Sequence, residues 1–207
     1  MDNHRAAAWC WSQVVAPDEK FSIFHIDRHT DLLQSRLEEW CRIAPPIGST
    51  GILDYLNLEY EIDGLCKAPL FRWDNYLPIF LRQREALLTK FSTLWHGEGD
   101  KPWFPFTEHK HYDAPRNLEA WLSNNEPWIV NLDIDFFFAH QGNDVFVQLF
   151  SDDYIVCLGE AMRAAKLAGS IRCLTIAISP EMCGGWEPGV RALRIFTRAA
   201  GLDVPRI

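Results

Sequence analysis

Three short runs of the chain are apolar almost throughout and rich in β-branched and aromatic residues: FSIFHID (21–27), PWIVNLDID (127–135) and IRCLTIAIS (171–179). Apolar runs of this length, each leading into a polar or turn-rich segment, read as strands covered on both faces. Between them, apolar residues recur at three- and four-residue spacing. That period predicts helices over 76–95 (YLPIFLRQREALLTKFSTLW), over 144–168 with Gly169 as the stop, and over 187–200 ending at Gly201. A helix within 4–15 and a shorter one near 115–125 complete the set, while the Pro-, Gly- and aromatic-rich stretch 97–115 reads as an ordered loop. Buried strands alternating with helices predict one α/β domain over residues 1–207, a three-layer α/β/α sandwich with a mainly parallel sheet. In such sheets ligands bind beyond the carboxyl ends of the strands.

The polar residues gather at those ends. His25, Asp27, His29 and Asp31 occupy every second position of FHIDRHTD, and a period of two places all four on one strand face. Asp133 and Asp135 close the second run. Either motif alone is more often a helix cap or turn than a site. Together they bring four carboxylates into one cleft, where they repel and desolvate each other unless neutralised. Two divalent cations would supply the matching positive charge. Oxygen-rich ligands with one or two imidazoles suit Mn²⁺, with Fe²⁺, Co²⁺ or Zn²⁺ as alternatives.

Composition narrows the partners. The 207 residues are 48% hydrophobic, with 9 Trp and 13 Phe, enough for a substantial core. A formal charge of −8 argues against a general nucleic-acid grip and mildly favours cationic partners. The six cysteines (Cys10, Cys41, Cys66, Cys157, Cys173, Cys183) form no CxxC pair, which leaves buried, reduced thiols as the expectation. No apolar run approaches the ~20 residues of a membrane span, so a soluble, cytoplasmic protein without membrane or nucleic-acid partners is expected.

FHIDRHTDL, NLDIDFFF and ISPEMCGG, taken together, resemble the arginase/deacetylase fold. More closely, they are similar to a family of small arginase-like proteins that includes the peptide arginases, which convert arginine side chains in ribosomal peptides to ornithine. The likeness spans most of the chain. It implies a histidine ligand near the N-terminus, which falls on His4 in MDNHRAAAWCW; the GGDH of true arginases is missing there, and the chain is much shorter than theirs. It further implies one manganese held by His4, Asp27, Asp31 and Asp133, and a second held by His29, Asp27, Asp133 and Asp135, with Asp27 and Asp133 bridging. His25 has no counterpart among those ligands and is left as a supporting or core histidine.

The reaction implied is hydrolysis of an arginine guanidinium in a precursor peptide, giving ornithine and urea. Asp135 would relay a proton to the leaving amine, and Glu181 in SPEMCGG would pair with the guanidinium. The proton shuttle is sought among His96, His109, His111 and His140, with His140 and the HKH of 109–111 best placed. KPWFPF (101–106) is a candidate wall for an extended peptide. Two other readings stay open: a single-metal amidohydrolase of the deacetylase kind, and a metal-stabilised binding protein without turnover.

Overall fold

The computed structural model describes residues 3–123, 128–142 and 145–203. A 3-10 turn (His4–Ala6) runs into α1 (Ala7–Ser12), and β1 (Phe21–His29) follows. Helices α2 (Leu37–Ile43) and α3 (Ile52–Asn57), a hairpin of β2 (Glu59–Ile62) and β3 (Cys66–Pro69), and α4 (Tyr76–Gln83) lead to β4 (Leu88–Glu98). Then come β5 (Thr107–Glu108), α5 (Ala114–Leu122), β6 (Trp128–Asp133) and a second hairpin of β7 (Phe138–His140) and β8 (Phe146–Gln148). The remaining elements are α6 (Asp152–Leu167), β9 (Ile171–Ala177) and α7 (Trp186–Ala199).

Five strands form one parallel sheet in the order β5-β4-β1-β6-β9. The chain leaves β1 toward β4 on one side and returns to β6 on the other. The gap between the ends of β1 and β6 is therefore the switch point at which open α/β sheets bind ligands. Helices cover both faces. Phe24, Ile26, Val130 and Leu132 pack beneath α5, α6 and α7, whereas Ile23, Phe91 and Ile129 pack beneath α1, α2, α3 and α4. Each fully buried aromatic or aliphatic side chain is worth roughly 1.5–3 kcal/mol, and the two layers hold β1 and β6 rigidly from both sides.

The sheet face under α1 and α4 carries a polar row. His25 pairs with Thr93 on β4 and with Asn131 on β6, and Asn131 pairs with Thr175 on β9. Two residues further along the same face lie Asp27 and Asp133. The period-two polar pattern thus becomes a buried polar stripe that ends in carboxylates.

Several elements differ from the sequence pattern. The stretch 76–95 is not one helix. It ends at Gln83, passes through a 3-10 turn (Glu85–Leu87), and becomes β4, the inner neighbour of β1. In β4 residues 91–95 are buried on both faces, so no alternation marks the strand. The expected loop 97–115 contains β5, which adds an edge to the sheet, and α5 begins at Ala114. The helix expected over 144–168 starts at Asp152, where Ser151 caps Tyr154; residues 146–148 are strand, and 143–144 lie outside the described residues. Residues 124–127, which include the start of the second apolar run and the end of the helix near 115–125, also lie outside them. All six cysteines are free, but of these only Cys183 is buried. Among the described residues, no helix is long and apolar enough to cross a membrane.

Candidate metal centre

Six ionisable side chains from three segments meet at the switch point. Asp27 and His29 come from the end of β1, where the register with β4 slips between them. Asp31 lies two residues past the strand with φ of 52°, a left-handed conformation that turns its carboxylate back over the strand end. Such a backbone costs about 1–3 kcal/mol outside glycine, persists only when the surroundings impose it, and clusters at functional sites. Asp133 closes β6, and its Oδ1 accepts from the Asp135 N–H at 3.1 Å, starting the 3-10 turn that holds Asp135. His4 arrives from the N-terminal turn. His4, Asp27, Asp31, Asp133 and Asp135 are all buried.

The contacts are close. His4 Nδ1 stands 3.1 Å from both Asp27 Oδ2 and Asp31 Oδ2 and 3.7 Å from Asp133 Oδ2. Its other nitrogen, Nε2, faces the Leu132 carbonyl at 3.1 Å. A carbonyl only accepts, so Nε2 carries a proton. Burial would lower His4, but the Asp133 charge and hydrogen bonds from Nδ1 to Asp27 and Asp31 raise it well above its usual value. In the metal-free cluster Nδ1 therefore holds a proton that a cation would have to displace. His29 Nδ1 lies 3.0 Å from Asp135 Oδ2 and 3.5 Å from Asp27 Oδ1. Asp27 Oδ2 and Asp135 Oδ2 are buried without a well-aligned hydrogen bond, each facing a histidine Nδ1, at 3.1 and 3.0 Å. Three overlapping groups have ligand atoms close enough to hold an ion: His4–Asp27–Asp133, His25–Asp27–Asp31 and Asp27–His29–Asp135. All share Asp27.

The protonation of the metal-free cluster shows how poorly it tolerates its own charge. Burial, reinforced by the Asp27 charge, pushes Asp31 up to about 7. Burial and then the charges of Asp133 and Asp27 drive Asp135 well above the carboxylate range. Asp133 is raised chiefly by burial too. Burial would lower His29, but its hydrogen bonds to Asp135 and Asp27 outweigh that and lift it to about 11. Only Asp27, in which bonds from His29 and His4 overcome burial, is held below its usual value. The cluster keeps protons at positions where a cation could neutralise the carboxylates instead.

His25 is assigned by the row beneath it. The Trp11 indole N–H, which can only donate, points at Thr175 Oγ1 at 3.0 Å. Thr175 therefore donates its own proton to Asn131 Oδ1 at 2.7 Å. That orients the Asn131 amide, whose nitrogen faces Tyr76 OH at 2.8 Å and His25 Nδ1 at 3.1 Å. His25 Nδ1 thus accepts, and its proton sits on Nε2, 3.7 Å from Asp27 Oδ2. Burial also pulls His25 down to about 4, keeping it neutral. In this tautomer His25 turns an Nε2–H that makes no hydrogen bond toward the Asp27 carboxylate and offers no lone pair to an ion.

The cluster opens into a cleft of about 280 Å³. Its walls include Trp73, Ser179, Glu181 and Met182, and no lysine or arginine among the described residues lines it. Glu181 is exposed at the mouth, after the left-handed Ser179 (φ 45°). Ser179 Oγ donates to Asp133 Oδ2 at 2.5 Å. Sequence reasoning missed Ser179, Trp73, Tyr76 and Asn131: Ser179 and Asn131 stand inside ISPEMCGG and NLDIDFFF, but the motifs assign them no role, and only contacts reveal what all four do.

The remaining histidines lie elsewhere. His140 is exposed on β7, its ring 5.0 Å from Phe146, and is not among the residues lining the cleft. His96 and His111 stack at 5.0 Å and bond to the carbonyls of Phe136 and Trp95. His109 stacks on Trp121 at 3.9 Å. In KPWFPF, Trp103 and Phe104 pack on the core beside Arg82 and Phe91, away from the cleft. No protein-family model and no curated protein matches the chain.

Proposed function

We propose that this protein is a two-metal hydrolase that acts on the guanidinium of an arginine side chain within a peptide, giving ornithine and urea. One observation carries the reading: four buried carboxylates and two imidazoles converge at the sheet's switch point, with two carboxylate oxygens buried there that have no well-aligned hydrogen bond. Isolated buried anions cost several kcal/mol each unless paired. The donor set fits two hard to borderline divalent ions, and manganese is our assignment. His4, Asp27, Asp31 and Asp133 would hold one ion, and His29, Asp27, Asp133 and Asp135 the other, in keeping with the likeness to the small arginase-like family. When bound, such a pair provides a strong nucleophile from water near neutral pH and offsets negative charge in the transition state.

The chain's own residues supply the rest. Glu181 meets the guanidinium with paired, charge-assisted hydrogen bonds and sets its plane across the cleft. No lysine or arginine lines the described walls, and the two histidines there would be neutral ligands once metal is bound, so no side-chain cation there would oppose the guanidinium. Hydrolysis adds water across Cζ and breaks the Cζ–Nε bond, so Nε must gain a proton as ornithine leaves. Asp135, held against His29 Nδ1, accepts the proton from water and returns it to Nε. Ser179 fixes Asp133 by its short hydrogen bond.

The test is direct. Manganese-loaded protein is incubated with arginine-containing peptides and with free arginine, and urea and peptide mass are followed. Urea together with an arginine-to-ornithine mass change is the expected result. No urea from any peptide, with metal confirmed bound, overturns the reading, and urea from free arginine alone would make it an ordinary arginase.

A further inference from the structure

A second cavity of about 240 Å³ abuts the metal cleft, and His29, Asp31 and Trp73 line both. Trp73 is 47% exposed, with its ring edge-on to His29 at 6.0 Å, so it stands as a partition between the two. Beyond it, Leu33 and Gly99 offer an apolar interior. The floor is tightly built. A side chain at Gly99 (φ +119°) would meet Thr30 Oγ1 at 2.4 Å, and the Thr30 N–H is tied to the Glu98 carbonyl at 2.8 Å.

The rim is acidic and held in place. Asp74 is clasped by Arg72 at 3.0 and 3.1 Å, Asp100 accepts from the Gln34 N–H at 2.9 Å, and Glu98 binds Arg28 at 2.9 Å. These bonds fix the shape of the mouth without placing a cation in it, because no lysine or arginine among the described residues lines the cavity.

We propose that this second cavity seats the side chain of the residue adjacent to the target arginine, and that it selects an apolar side chain there and rejects an acidic one. The continuity of the two cavities across Trp73 carries the assignment: a guanidinium in the first leaves the neighbouring residue over the second. An apolar interior rewards burial of aliphatic or aromatic groups and penalises burial of an unpaired carboxylate, and Asp100, held by a backbone N–H and not by an arginine, repels a like charge. This inference rests on the guanidinium reading of the metal cleft and extends it to the flanking sequence.

The experiment uses the full chain loaded with manganese. Five-residue peptides with a central arginine carry Leu, Ala or Asp on both sides of it, and Nα-acetyl-arginine amide serves as the substrate without neighbours. Urea release gives kcat/KM, and calorimetry gives Kd for the matching ornithine peptides. A preference of Leu over Ala of about tenfold, and of Ala over Asp of similar size, is expected. Leu33→Trp, which fills the cavity, and Leu33→Ala, which hollows it, should each pull the Leu-to-Ala ratio toward one in both readouts. Urea from acetyl-arginine amide with no effect of neighbours, or a ratio unmoved in both variants, overturns the subsite while leaving the guanidinium reading intact. Binding that follows the neighbours without any urea would keep the subsite and discard the reaction. Absence of all peptide binding discards both.

Discussion

At the residue scale, the account depends on a few side chains whose roles separate experimentally. Asp133 lies within 3.7 Å of His4 and takes the Ser179 bond. Asp133→Asn removes a charge that we assign to both ions, so metal content and urea release should be lost together; full metal with full turnover would refute the assignment. Glu181→Gln is expected to keep the metal and to lower kcat/KM on the order of a hundredfold, since it breaks a charge-assisted pair outside the ligand set. A pure binding protein would show no effect on its function. Asn131→Leu removes the donor that fixes the His25 tautomer, and metal affinity should drop by roughly 10–100-fold, the range for lost outer-shell support, as read by calorimetric titration. An unchanged affinity would mean that His25 does not act through Asp27.

At the element scale, the close approach of α6 and α7 depends on Gly159. A Cβ there would lie 2.7 Å from the Phe196 carbonyl and 2.8 Å from Ala199 Cβ. Gly159→Ala is therefore expected to cost about 1–3 kcal/mol, as overpacking does, measured by urea denaturation. Much of this architecture is legible in the chain. The apolar runs give β1, β6 and β9, and strand periodicity gives Asp27, His29, Asp133 and Asp135 of the cluster, whereas His4 is reached only through the family resemblance. β4 escapes notice for a physical reason: LTKFSTLW carries apolar residues at helical spacing, is buried on both faces, and follows α4 without glycine or proline to mark the break. Asp31 keeps its predicted place only because the backbone leaves the strand in a left-handed turn, which periodicity does not foresee. The parts of Ser179 and Asn131 depend on contacts across 44 or more residues in sequence, which no local pattern encodes.

At the scale of the whole molecule, the cluster makes stability depend on pH and metal together. His29 is raised from 6.5 to about 11 in the metal-free protein. Its contribution is therefore complete below pH 6.5 and is lost as pH rises through its folded value. Asp31, raised from 3.8 to about 7, acts in the same direction over that lower window. His25 and His96, each depressed from 6.5 to about 4, act in the opposite direction between those values and offset Asp31 there. From pH 6.5 to 9 nothing opposes His29, so the metal-free melting temperature should fall by roughly 3–6 °C. Metal displaces those protons, so with saturating Mn²⁺ the melting temperature should stay level or rise over the same range. A metal-free protein that gains stability from pH 6.5 to 9 would contradict the cluster's electrostatics.

The central claim is that this cluster is a metal centre for two ions, and calorimetric titration of the metal-free chain with Mn²⁺ tests it most directly. Two ions bound per chain, with proton release that grows as pH falls from 9 to 6.5, is the predicted result. No binding, or binding that Asp133→Asn leaves untouched, would contradict it.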